Sequence, residues 1–147
     1  MKYLLFTLDK IFNSMVELEV LLKEEVKQLS GPQINPISLQ IISDTKSKLL
    51  AAIEHYDNLR KEQEAELGIA APYAAHSEFK LLWGQIVTQI KQSNYLNQSV
   101  YSLLDIHMQK MSNIKELVNK TGVNTSLYGS SGHSDNHTAG KVYNISI

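Results

Sequence analysis

The chain contains no cysteine. Disulfides, thiolate metal sites and cysteine nucleophiles are therefore excluded together, and the usage fits a reducing compartment. Proline is scarce, with three in 147 residues, and Pro32, Pro36 and Pro72 fall at the edges of helical periodicity rather than inside it. No apolar run approaches the ~20 residues of a membrane span. Neither sign of charge dominates: Lys and Arg total 14 and Asp and Glu total 15, for a net charge of -1. Such a chain carries no overall field to attract nucleic acid or an anionic membrane. Also missing are a paired-carboxylate pattern, a Gly-rich phosphate loop and a G-x-S-x-G elbow, so no sequence feature calls for catalysis. The opening MKYLLFTLDKIF is not an export signal in form. Its apolar run from Tyr3 to Leu8 stops at Asp9 and Lys10, and no small-residue cleavage site follows.

What the chain has is amphipathic periodicity. Leu4, Leu8, Ile11, Met15, Leu18, Leu22 and Leu29 step by threes and fours, with Leu5, Phe12 and Val26 widening the stripe. This predicts a helix over about 3–29, ended by Gly31 and Pro32. A second start follows at once. Asn35 is a capping residue, Pro36 suits the first helical position, and Ile34 and Leu39 are spaced as a hydrophobic staple. The stripe Leu39, Ile42, Leu49, Ile53, Tyr56 and Leu67 predicts a helix over about 36–67, interrupted by Lys46 and closed by a left-handed Gly68.

After a connection of small residues around Pro72, a third helix is predicted over about 77–120, capped by Ser77 unless Pro72 starts a turn earlier. Its stripe runs Phe79, Leu82, Trp83, Ile86, Ile90, then Val100, Leu103, Leu104, Met108, Met111, Ile114, Leu117 and Val118. The polar KQSNYLNQS between the two halves reads either as a kink or as the point where the helix leaves its partners. Gly122 is the expected stop, and residues 122–147 have the composition of a disordered tail. The fold class is all-α: an elongated antiparallel helical hairpin or three-helix bundle with one long C-terminal helix. Residues 1–121 form the helical domain and 122–147 a flexible tail. A forty-residue helix at ~1.5 Å per residue outruns helix one, so part of its stripe is expected to lie uncovered, and uncovered stripes mark partner surfaces.

Other candidates are weaker. His133 and His137 have a metal-ligand spacing around Asp135, but SSGHSDNH is a poor helix former, and solvated tail histidines are the simpler reading. His107 reads as a hydrogen-bonded packing histidine, and His55 and His76 lack neighbours that suggest a site. KEQEAE, residues 61–66, reads as a solvated helix face. Lys110, Lys115 and Lys120 form a basic edge too sparse for nucleic acid. The Asn-x-Ser/Thr sequons, such as those at Asn97 and Asn119, are expected by chance in so Asn- and Ser-rich a chain.

Two motifs carry a family resemblance. The segment LSGPQINPISLQIISDTKSKLLAAIEHYDNLRKEQE contains Ile42, Lys46, Leu49 and Leu50 in an I-x-x-x-K-x-x-L-L pattern. The tail holds Leu127-Tyr128-Gly129, then Gly132, Gly140-Lys141 and a terminal Ile145-Ser146-Ile147. Both resemble the FlgN family of flagellar export chaperones, in length and helix order as well. Ala139 departs from a glycine common in that family, and Val142 and Tyr143 stand where a second basic residue often follows the lysine.

The resemblance implies a cytoplasmic chaperone of flagellar type III secretion with no cofactor and no reaction. It implies binding of the hook–filament junction proteins FlgK and FlgL, and delivery to the cytoplasmic domain of the export gate or to the export ATPase complex. It assigns substrate binding to the C-terminal amphipathic region, here Val100, Leu103, Leu104, Met108, Met111, Ile114, Leu117 and Val118. Gate docking falls to Leu127, Tyr128 and Gly129. The alternation of Tyr143, Ile145 and Ile147 further suits strand addition to a partner's sheet edge. The rival reading is a structural coiled-coil subunit or adaptor that self-associates through the same stripe; a helical sensor would want a ligand pocket that the sequence does not locate.

Overall fold

The computed structural model describes residues 1–121, which form three helices: α1 (Lys2–Leu29), α2 (Pro36–Leu67) and α3 (Ser77–Lys120). The central element is α1, packed along both α2 and α3, whereas α2 and α3 share no comparable contact along their lengths. Short connections therefore place α1 and α2 side by side, but α3 packs on α1 rather than on its neighbour in sequence. It runs parallel to α1: Phe12 lines a groove with Gln89, and Leu29 meets His107.

The reason lies in a heptad seam. The buried residues of α1 are Leu4, Leu8, Ile11, Met15, Leu18, Leu22, Glu25 and Leu29, alternating steps of four and three, with Thr7 beside them. Each fully buried aliphatic side chain contributes roughly 1.5–3 kcal/mol relative to exposure. On α3 the sequence continues the pattern through Phe79, Trp83, Ile86, Ile90, Ser93, Leu96 and Val100, all buried. This corrects the reading of KQSNYLNQS. The helix is uninterrupted there, and Ser93 and Leu96 stay inside the seam, so this segment neither breaks the helix nor leaves its partner.

On α2 the seam positions include charges. Lys46, expected only to interrupt the stripe, reaches across to Glu25 of α1, Nζ to Oε1 at 2.9 Å, with both side chains mostly buried. Leu67, assigned to the stripe, is exposed instead. The N-cap of α2 is as expected, with Asn35 Oδ1 accepting the Ser38 N–H at 3.2 Å. Its end is closed by Gly68 at φ 67, a left-handed cap that glycine adopts without a Cβ penalty. At α3 the cap is His76, through its backbone; Ser77 is already helical, and no side chain caps the end.

Candidate functional site

The structure divides the eight apolar residues expected on late α3. Val100 is 2 % exposed and belongs to the core. Leu103 and Leu104 are partly buried and pack against it. Val118 is partly exposed. Met108, Met111, Ile114 and Leu117 are 55–69 % exposed, and Ile106, absent from the expected set, is also exposed. The boundary coincides with the end of α1. His107 Nε2 lies 2.7 Å from the carbonyl oxygen of Leu29, the last residue of α1, as expected of a hydrogen-bonded packing histidine. Beyond it, α3 has outrun its partner. Residues 108–120 form an arm of roughly 20 Å at 1.5 Å per residue. Its apolar side chains face no other part of the described chain. Met108 and Met111 add adaptable thioethers to that face.

At the opposite end of the bundle, the start of α3 is fixed by a buried polar cluster that sequence reasoning missed. Arg60 is 3 % exposed. Its Nε donates to Asp57 Oδ1 at 2.9 Å, its Nη1 pairs with Glu64, and its guanidinium lies 4.6 Å from the Trp83 ring centre. Burial works against the charge, but Tyr73, Asp57 and Glu64 more than offset it and hold the guanidinium above its ordinary pKa. Tyr73, from the α2–α3 connection, donates its hydroxyl to Glu64 and sets its ring edge-on to Trp83. Burial first, and then the Glu64 carboxylate, push the phenol well above its ordinary pKa. Tyr73 adopts φ 59, a region costly for a large side chain, which these contacts hold in place.

The cluster corrects the reading of residues 61–66 as a solvated face. Gln63 and Glu64 are half-buried, and Glu64 serves both Arg60 and Tyr73. The available signal was positional: Arg60 stands four residues after Tyr56 and seven after Ile53, on the seam itself. A groove of about 600 Å³ lies beside α3, lined by residues that include Phe12, Lys80, Leu81, Gly84 and Thr88. Among the described residues there is no group of His, Asp and Glu placed to hold a metal ion, and no helix is long and apolar enough to cross a membrane. Leu127, Tyr128, Gly129, His133 and His137 lie outside the described residues, as does the expected stop at Gly122.

The fold and this arm define a class: a three-helix bundle whose last helix presents an apolar face that no other part of the described chain covers. The comparisons with known proteins narrow the class. The chain belongs to the FlgN family, whose profile, described as FlgN protein, matches residues 1–136. It is similar to the flagella synthesis protein FlgN of Escherichia coli (strain K12), 29 % identical over 140 residues that cover 94 % of this chain and 95 % of the relative. The protein of the same name from Proteus mirabilis is 29 % identical over 126 residues, 86 % of each chain. That from Salmonella typhimurium is 29 % identical over 139 residues, covering 94 % and 95 %. No solved structure matches the chain.

Proposed function

We propose that the chain is a substrate-specific export chaperone of the flagellar type III secretion system. In this reading it binds the hook–filament junction proteins FlgK and FlgL in the cytoplasm, keeps them from associating prematurely and carries them to the export gate. The observation that carries the reading is the arm. Met108, Met111, Ile114 and Leu117, spaced in threes, form an exposed apolar face on an α-helix with no partner in its own described chain. Such a face suits burial of an amphipathic helix from another protein. A complex of this kind needs roughly 1,200–2,000 Å² of total buried surface, so flanking residues such as Leu103, Leu104 and Val118 join the contact. Val100, already in the core, supports the arm rather than touching a substrate. Leu127-Tyr128-Gly129 is the docking element for the gate, and no cofactor takes part.

The test is a graded series along α3. Met111→Asp is expected to abolish binding of FlgK and FlgL in a calorimetric titration while shifting stability by no more than ~0.5 kcal/mol, as for other exposed sites. Leu104→Asp is expected to lose both binding and part of the stability, and Val100→Asp to unfold the bundle. Unchanged binding by Met111→Asp sinks the arm reading. Tyr128→Ala is expected to keep junction-protein binding and weaken capture by the gate's cytoplasmic domain. The competing reading, a coiled-coil subunit that self-associates through the same face, predicts instead a mass by light scattering that rises with concentration and falls in Met111→Asp.

A further inference from the structure

We infer that His107 is a positioning residue for the arm: its hydrogen bond to the Leu29 carbonyl fixes where α3 leaves the bundle and in which direction the arm points. The inference rests on the arm being the binding element. An α-helix ends with carbonyls that have no intrahelical partner, and Leu29 is the last residue of α1. Its oxygen accepts from His107 Nε2 at 2.7 Å, across 78 residues of sequence. A carbonyl can only accept, so Nε2 carries the proton and the tautomer is set by the contact. An apolar seam tolerates small sliding and rolling because its contacts are numerous and non-directional. One short, directional bond at its end does not.

The position matters as much as the bond. Val100 is the last fully buried residue of α3, and Leu103 and Leu104 are the last hydrophobics packed on the core. His107 follows one turn later, itself half-buried, and Met108 begins the exposed face. Among the described residues, the imidazole thus marks the end of the seam, just before the exposed apolar positions of the arm. A small change of roll there is carried along the roughly 20 Å of helix that follows, which turns the row Met108, Met111, Ile114 and Leu117 away from a bound partner. A buried leucine would fill this site as well; a side chain with a ring N–H adds an anchor.

The absence of cysteine makes the test direct. Spin labels at Val20→Cys and Ser112→Cys, both exposed positions, report the distance from α1 to the arm. The parent is expected to give one narrow distribution. His107→Phe, which keeps a ring and removes the donor, is expected to broaden it and to weaken FlgK and FlgL binding several-fold with helical content retained. His107→Gln, whose amide can donate again, is expected to restore both, a rescue that loss of packing alone would not show. In the long-range proton–nitrogen spectrum, the signal lost in His107→Phe is expected to belong to an Nε2–H tautomer. An unchanged distance distribution in His107→Phe, or a proton on Nδ1 alone, overturns the proposal. A broadened distribution with junction-protein binding intact supports the positioning role and sinks the arm as the binding element instead.

Discussion

Lys46 Nζ and Glu25 Oε1 stand 2.9 Å apart on facing seam positions of α2 and α1. The neighbouring seam residues are leucines and isoleucines, so this pair is a polar step in an apolar ladder. Such a step favours one register, because any slide leaves a buried charge without its partner.

Removing one partner should therefore cost more than removing both. Lys46→Met is expected to destabilise the bundle by roughly 2–3 kcal/mol in urea unfolding, near the low end for a mostly buried pair because Lys46 keeps some exposure. The double variant Lys46→Met, Glu25→Leu is expected to recover most of that loss. If the double variant is as unstable as the sum of the singles, the pair is not acting as a unit.

The Tyr73 phenol gives the fold an alkaline limit. Its folded pKa lies above the ordinary value of 10.0, so above that pH the unfolded state loses the proton before the folded state does. The stabilisation is complete below about pH 10 and drains away as pH rises toward the folded value. Tyr73→Phe is expected to start less stable, because Glu64 loses a donor, and to show a flatter stability profile above pH 10. In ultraviolet titration, one of the seven tyrosines should ionise only as the protein unfolds.

Gly84 sits inside α3, two turns from its start, and a Cβ added there meets nothing within 4 Å. Glycine inside a helix costs about 0.5–1 kcal/mol relative to alanine. Gly84→Ala is therefore expected to raise the unfolding free energy by that amount. A fall in stability would show that α3 is not regular at this point.

Much of the architecture was legible because the heptad period survives in the residue types. Leu4 to Leu29 can be read without coordinates, as can Asn35-Pro36 and Gly68 at the ends of α2. The failures have one physical source. Average polarity was weighed where position decided the outcome. Ser93 lies among polar neighbours yet stays at a seam position, where its side chain is small enough to fit although its hydroxyl finds no hydrogen-bond partner among the described residues. The burial of Arg60 was not legible because Tyr73 and Trp83, which cover it, come from the following connection and helix, while its local partners Asp57 and Glu64 would suit an exposed helix face equally well. At the candidate site, uncovered apolar surface on late α3 followed from comparing helix lengths. The place where cover ends did not, because it depends on the parallel alignment of α3 on α1, which puts His107 beside Leu29.

The overhang of α3 also bears on how the arm acquires its order. A free helix of this length is marginal in water because its first turn must fix several residues for a single hydrogen bond. Here that turn is supplied by the packed half of the same helix, so each further residue faces only the small propagation step. Helicity along 108–120 is then graded, firmest beside the bundle and loosest at Lys120. Amide exchange should quicken residue by residue toward the tip, and a bound helix should slow it from the tip inward. A chain built this way can begin a recognition event on a surface that is already helical and complete it on one that is still closing, like a zipper started by hand.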